Sequence, residues 1–372
     1  MRIQRVDTNH RPDVNEFVQL PFRLYEGSEQ WAPPLVFTVK QALDRDRHPF
    51  YRHSDAAFFL AWERGEVVGR IAVLDNRHYN EYHNSKAAFF HYFDVIDDLE
   101  VAQALFGAAD AWAKQRDLDT LIGPKGLLRS EGMGILVEGF EHRTVFGIPY
   151  NAPYYVRLVE AAGFEKEVDY VSGYIEGDYE LPERVLQIAE RVKERRGYWT
   201  KSFTSKRELR AWIPRVQRIN NEAFTDVWGY YPLDDAETEM IGDQLLTIAD
   251  PRMIRLVMKG DEIAGFAFVF PDVSEALQAI NGRLWPFGWI RLLWAHRFTK
   301  RLSANGLGLL PKYQGVGSNA VLYASLFQIL EEREVEFADV AQIAETNLKS
   351  MGDMTALGIE WYKRHRIYRR HL

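Results

Sequence analysis

The segment from Leu307 to Tyr323, Leu-Gly-Leu-Leu-Pro-Lys-Tyr-Gln-Gly-Val-Gly-Ser-Asn-Ala-Val-Leu-Tyr, carries the clearest chemical signal in the chain. Its apolar start reads as a strand, its two glycines at 315 and 317 as a bend, and the stretch from Ser318 as a helix. Glycines let the main chain take left-handed angles and let a ligand come close to the backbone. A helix starting near Ser318 turns unpaired N–H groups and a partial positive charge toward the same bend. Such a bend can cradle a pyrophosphate. A tight strand-to-helix connection uses the same residues with no ligand at all.

This segment resembles the acyl-CoA-binding motif of the GNAT superfamily of N-acetyltransferases. The family's turn reads Gln or Arg, two residues, Gly, one residue, then Gly or Ala. Gln314, Gly317 and Asn319 take those places, so the last small residue gives way to an amide able to crowd the phosphate site. The resemblance also covers the hairpin before the motif, the strand ending Ala341-Gln342-Ile343-Ala344-Glu345, and Asn347 through Ile359. It implies acetyl-CoA or another acyl-CoA as cosubstrate, held by Leu309, Leu310, Gln314, Gly315, Val316, Gly317, Ser318, Asn319 and Asn347. In the family two strands splay apart and the pantetheine arm bonds the exposed edge of the first, here Leu309 and Leu310. The implied reaction is direct attack of an amine on the thioester, with a base for the amine proton and an acid for the leaving thiolate. Family members often carry that acid as a tyrosine seven residues after the asparagine matching Asn347; here the place holds Met354, which cannot donate a proton. Either Tyr362, Tyr368 or water then substitutes, or this domain does not catalyse acetyl transfer. Glu345, at the end of its strand, is the candidate base, and a solvated carboxylate beside the next helix is the plainer reading.

The elements that must position these residues occur twice. Hairpins over Ala57–Trp62/Val67–Leu74 and Arg255–Met258/Ile263–Phe270 have second strands that start alike, Glu66-Val67-Val68-Gly69 and Glu262-Ile263-Ala264-Gly265. Gly69 and Gly265 are 196 residues apart, as are Asn151 and Asn347, each of which precedes a helical stretch. The expected fold is α+β: two GNAT-like domains, each a mixed, mostly antiparallel sheet flanked by helices. The expected division is 1–180, a linker helix at 181–196, and 197–372 with the acyl-CoA site. In the first half a helix over Asp98–Arg116, capped by Asp97 or Asp98, shows Val101, Leu105, Ala108, Ala109 and Trp112 on one face. Where the second half has its glycine bend, the first has Asp97-Asp98-Leu99-Glu100, whose charge would repel a phosphate. The whole resembles bacterial GNAT-like tandem proteins with a degenerate first copy.

Composition narrows the function classes. The 372 residues include no cysteine, which removes disulfides, thiolate catalysis and cysteine-ligated metals. A formal charge of −7 argues against a broad nucleic-acid surface. No apolar run reaches the length of a membrane span, and no signal-like core follows Met1, so a cytoplasmic protein is expected. His78 and His83, five apart, are poorly placed for one metal, and no metal is expected. The tail Lys363–Arg370 reads as an edge strand with a basic solvated face, or as an attraction for a coenzyme's 3′-phosphate. The tryptophan-rich insertion at 280–300 reads as aromatics packed across the domain junction, an acceptor wall, a partner surface or a shallow membrane contact. Three functions are compatible: N-acyl transfer, in the first instance acetyl transfer, to an unidentified small-molecule or peptide amine; ligand binding or regulation without turnover; and aminoacyl transfer from tRNA. Oligomeric state is open.

Overall fold

Short polar turns between β-branched and aromatic runs set the strands, and capped amphipathic runs set the helices. The computed structural model describes residues 1–225 and 227–372. The chain opens with β1 (Arg2–Arg5), α1 (Arg11–Leu24), α2 (Val36–Leu43), β2 (Asp55–Glu63), β3 (Glu66–Asp75), α3 (Arg77–His83), β4 (Ala87–Val95) and α4 (Leu99–Lys114). It continues through β5 (Thr120–Gly123), β6 (Ile135–Glu138), α5 (Tyr154–Ala161), β7 (Glu165–Glu176), α6 (Glu183–Arg196), β8 (Tyr198–Lys201), α7 (Lys206–Ala223) and α8 (Asp235–Ile248). It closes with β9 (Ile254–Lys259), β10 (Glu262–Pro271), α9 (Ser274–Ile280), α10 (Gly288–Phe298), β11 (Arg301–Leu309), α11 (Ser318–Glu332), β12 (Phe337–Ala344), α12 (Leu348–Ala356) and β13 (Glu360–His371).

The architecture is α+β, in two units. One comprises Met1–Tyr170, Ser274–Leu292 and Lys363–Leu372; the other comprises Val171–Val273 and Leu293–Tyr362. The expected division at 181–196 put all of 197–372 together, whereas two later segments fold with the first unit. Hydrogen bonds account for this. Gln278 Nε2 donates to the carbonyls of Glu29 (2.8 Å) and Trp31 (3.0 Å), and Arg283 donates to Gln19 (2.9 Å). The last strand pairs with β5 from Tyr368↔Gly123 to His371↔Thr120.

In the first unit the sheet order is β1-β2-β3-β4-β5-β13, antiparallel except for β4 and β5. The hairpin β2–β3 turns on Arg64 and Gly65, both at positive φ (52° and 91°), as a two-residue turn with the sheet's twist requires. Helix α4 lays Val101, Leu105, Ala109 and Trp112 onto a core with Ile71, Val73, Phe90 and Leu121. Asp98 caps it, accepting from the amides of Glu100 (2.8 Å) and Val101 (3.2 Å).

The second unit repeats the order: hairpin β9–β10, then β11 antiparallel to β10 and parallel to β12. Helix α11 packs Val321, Leu322 and Ala324 with Val257, Ala264, Ala267 and Leu309, and with Ala189 and Val192 of α6. In both units the strand after the hairpin carries one extra residue at the same place. Between β3 and β4 the register slips from Ala72↔His91 to Arg70↔Asp94, with Tyr92 at φ +47°. Between β10 and β11 it slips from Val269↔Ala304 to Ala267↔Leu307, with Gly306 at φ +126°. Such a bulge bends its strand. In each unit it falls just past the last pair with the parallel neighbour, Phe89↔Ile122 and Ala304↔Val340.

Two expectations are corrected. The basic tail is not an edge: β13 neighbours β5 and β7, and its charges are used internally. Arg366 binds both oxygens of Asp169 (2.8 and 3.0 Å), and Arg370 binds both of Asp110 (2.5 and 2.6 Å). A sequence pattern shows basic residues but not the carboxylates 197 or more positions away that neutralise them. Nor are the aromatics of the insertion packed away, since Trp285 is 83% exposed and Phe287 73%.

Loss of the Asp98 cap leaves two first-turn amides of α4 without their acceptor. Asp98→Ala is expected to lower stability by about 1 kcal/mol, read as a lower urea midpoint with unchanged slope.

Candidate functional site

Five residues after β11 ends, the chain reaches the bend, and its shape is set by two glycines with different neighbours. Gly315 and Gly317 stand at φ +73° and +86°. A Cβ on Gly317 would come within 2.9 Å of Val192 and 3.3 Å of Ile188, whereas one on Gly315 would meet nothing within 4 Å. Gly317 is thus fixed by packing against α6, and Gly315 faces open space. Gly317 is also the cap residue of α11, and among the described residues no side chain caps the first amides of that helix.

Side chains close the rest of the bend. Gln314 Nε2 donates to the Leu309 carbonyl (3.0 Å), and the Ser318 hydroxyl donates to the Tyr313 carbonyl. Two cations lie alongside: Arg196 donates to the Val316 carbonyl (3.0 Å) and Lys349 to Gln314 Oε1 (3.3 Å). Sequence reasoning missed both, because Arg196 ends the connecting helix and Lys349 lies beyond β12. Asn319, the residue expected to crowd the site, has its amide tied elsewhere. Its Nδ2 donates to Asp353 of α12 (2.6 Å), which also accepts from the Tyr323 hydroxyl (2.7 Å).

Beside the bend, β11 and β12 pair from Arg301↔Phe337 to Ala304↔Val340, and both strands continue further, to Leu309 and Ala344. Asn305–Gly308 therefore has no strand beside it on the β12 side among the described residues. The expected open edge at Leu309 and Leu310 shifts back accordingly. The Leu310 amide donates to the Ala264 carbonyl (2.9 Å), its carbonyl accepts from Tyr313 (2.9 Å), and both leucine side chains are buried.

Glu345 stands half-buried in the turn between β12 and α12, at the divergent end of the strand pair. Asn347 caps α12, its Oδ1 accepting from the Ser350 amide (3.2 Å). Met354 is buried. Tyr362 is not brought to this end. Its hydroxyl donates to Asp339, which is in register with Ser303, and its ring packs on Tyr174 and Phe337. Asp339 lies roughly 16 Å of strand before Ala344. Burial first, and the Asp339 carboxylate second, hold the Tyr362 hydroxyl well above the ordinary tyrosine range. Tyr368 is buried in the first unit, with its hydroxyl on Glu160 (3.1 Å).

The first unit is built differently at the equivalent place. Its helix start is filled by the Asp98 carboxylate. Where β4 leaves β5, the Lys125 amide takes the Phe90 carbonyl (2.9 Å) that a strand-like ligand would need. Lys125 is buried, its ammonium 4.5 Å from the Tyr79 ring centre, and burial brings its pKa down to about 7. Glu131 accepts from the Leu127 amide (2.8 Å) and lies 3.7 Å from His91 Nε2. Burial raises Glu131 to about 7 and lowers His91 to about 3, so His91 is neutral at physiological pH. No spacing pattern links these three residues, so they carry no signal in the sequence. His78 stacks on His53 (3.5 Å between ring centres), and His83 lies against Tyr79 (4.2 Å).

No family model matches the chain. It is 26% identical over 370 residues to protein YghO of Escherichia coli (strain K12), covering 98% of this chain and 94% of that protein. It is 27% identical over 370 residues to bacterial ceramide synthase of Caulobacter vibrioides (strain NA1000 / CB15N), covering 97% and 95%. Among solved structures it is similar to a tandem GNAT protein from the clavulanic acid biosynthesis pathway, with a TM-score of 0.57, 15% identity, and coverage of 100% of this chain and 98% of that one. The fold is therefore that of tandem GNAT proteins.

Two predictions follow from the local geometry. Gly317→Ala is strained in φ and also collides with Val192, so it is expected to cost about 2 kcal/mol, and Gly315→Ala, which is strained only, about 1 kcal/mol; urea melts rank the two. Glu131 has a folded pKa of about 7, above its reference value of 4.5, so its charge penalises folding as pH rises through that window, fully above pH 7. Glu131→Gln keeps an acceptor for Leu127 and removes the penalty. It is expected to raise stability by about 2 kcal/mol at pH 8 and not at all at pH 4, read as urea midpoints at the two pH values.

Proposed function

We propose that the second unit binds an acyl-CoA at the bend Gln314–Asn319 and transfers its acyl group to an amine. The observation that carries this is the contrast between two equivalent helix starts. At α4 a carboxylate occupies the first-turn amides; at α11 Gly317 leaves them open, beside Arg196 and Lys349. An anion fits the second and not the first. The tandem GNAT fold supports the same reading, as does the open edge at Asn305–Gly308, which offers main-chain partners to the amides of a pantetheine arm.

When bound, the coenzyme supplies an activated thioester carbonyl. The amides of Ser318 and Asn319, with Arg196 and Lys349, meet the diphosphate charge. Gly315 leaves room for the close approach. Glu345, at the end where the strands diverge, takes a proton from the amine as its nitrogen bonds to the carbonyl carbon and the carbon–sulfur bond breaks. With Met354 buried and Tyr362 committed to Asp339, the departing thiolate takes its proton from water. A similar protein is named as a ceramide synthase, and ceramide is the N-acyl amide of a long-chain amino alcohol, so that class of amine heads the acceptor panel. Met354 and the displaced Tyr362 favour a second reading, a protein that binds the coenzyme without turnover.

Calorimetry with acetyl-CoA and a long-chain acyl-CoA tests the first step. Lys349→Glu, at an exposed position, is expected to weaken binding at least tenfold, and Gly315→Glu to abolish it, with neither unfolding the protein. No binding at millimolar coenzyme overturns both readings. Thiol release is then measured with a long-chain amino alcohol, a polyamine and a peptide amine. Glu345→Gln should lower turnover at least tenfold at unchanged coenzyme affinity. Binding without release for every amine selects the second reading.

A further inference from the structure

Helix α10 is inside out. Its outward face holds Trp289, Ile290, Leu293, Trp294 and Phe298, and its half-buried face holds Leu292, Ala295 and His296. None of its eleven residues is fully buried. With Trp285 and Phe287 just before it, the segment contributes seven of the thirteen exposed large apolar side chains among the described residues. A helix this short is marginal in water by itself, and exposing this much aromatic surface is unfavourable. The charge pattern says what covers it. Residues 281–301 contain Arg283, Arg291, Arg297, Lys300 and Arg301 and no acid, in a chain whose net charge is −7. Arg291 and Arg297 are exposed on the same face as the tryptophans and have no carboxylate partner among the described residues. Tryptophan, phenylalanine and leucine with interleaved arginines match the headgroup and upper acyl region of an anionic bilayer. An eleven-residue helix is roughly 16 Å long and so lies in an interface instead of crossing one.

We infer that Trp285–Phe298 is a membrane-surface anchor that inserts shallowly into anionic phospholipid. The segment that leads into it is held firmly: the Gly282 carbonyl accepts from Val36 (3.0 Å) and Arg283 donates to Gln19 (2.9 Å), so the anchor projects from a fixed base. This inference goes beyond acyl transfer and does not depend on it.

The test uses the full chain without coenzyme, sedimented with extruded vesicles of phosphatidylcholine alone or with 30% phosphatidylglycerol. The expected result is partition into the anionic vesicles at least tenfold above the neutral ones, reduced by raising NaCl. Trp294→Glu with Phe298→Glu, and separately Arg291→Glu with Arg297→Glu, should each lower it at least tenfold. Light scattering after gel filtration, without lipid, accompanies each protein. No partition, or variants that partition like the unaltered protein, overturns the inference. So does a lipid-free dimer that Trp294→Glu with Phe298→Glu splits, because the face then belongs to a second copy of this chain. A failure here leaves coenzyme binding by calorimetry unaffected, and the reverse also holds.

Discussion

The start of a helix must place its first amides against something, and in this protein that requirement separates two copies of one fold. A carboxylate at Asp98 meets it from within the chain, while Gly317 offers no side chain to it. The left-handed backbone of Gly317 is pressed against Val192 and Ile188. The supporting helix α6 thus sets the shape of the bend and, through Arg196, its charge. Beside the bend, Gln314 folds back onto Leu309 and Asn319 is bonded to Asp353.

A second shared device, the bulge after each hairpin, bends the next strand away from its parallel neighbour. In the second unit the bulged residue is Gly306 and the gap beyond it is an open edge. In the first it is Tyr92, whose ring packs on Phe17 (5.8 Å), and Lys125 takes the edge at Phe90. The same backbone event therefore adjoins an unpaired strand edge in one unit and packed side chains in the other.

The local parts of this were legible in the sequence. Both hairpins, the Asp98 cap, the apolar face of α4 and the Gly315–Gly317 bend follow from short-range rules about turns, caps and periodicity. Asn347 was legible as a position, although its visible role is to cap α12. What could not be read depends on distant partners. Nothing near Tyr362 indicates that Asp339 holds it, nothing near Asn319 points to Asp353, and the insertion's hydrophobicity does not say that its aromatics stay in solvent. The basic tail failed for the same reason, its neutralising acids being Asp169 and Asp110.

That tail also governs when the molecule can be assembled. The strand Lys363–His371 belongs to the unit begun by Met1, pairing with β5 while Arg366 binds Asp169 of β7 and Arg370 binds Asp110 of α4. As the chain emerges during synthesis, the sheet of that unit stays one strand short until some two hundred further residues have been made. The first unit is therefore the first begun and among the last completed, and the intervening unit can reach its own fold before it.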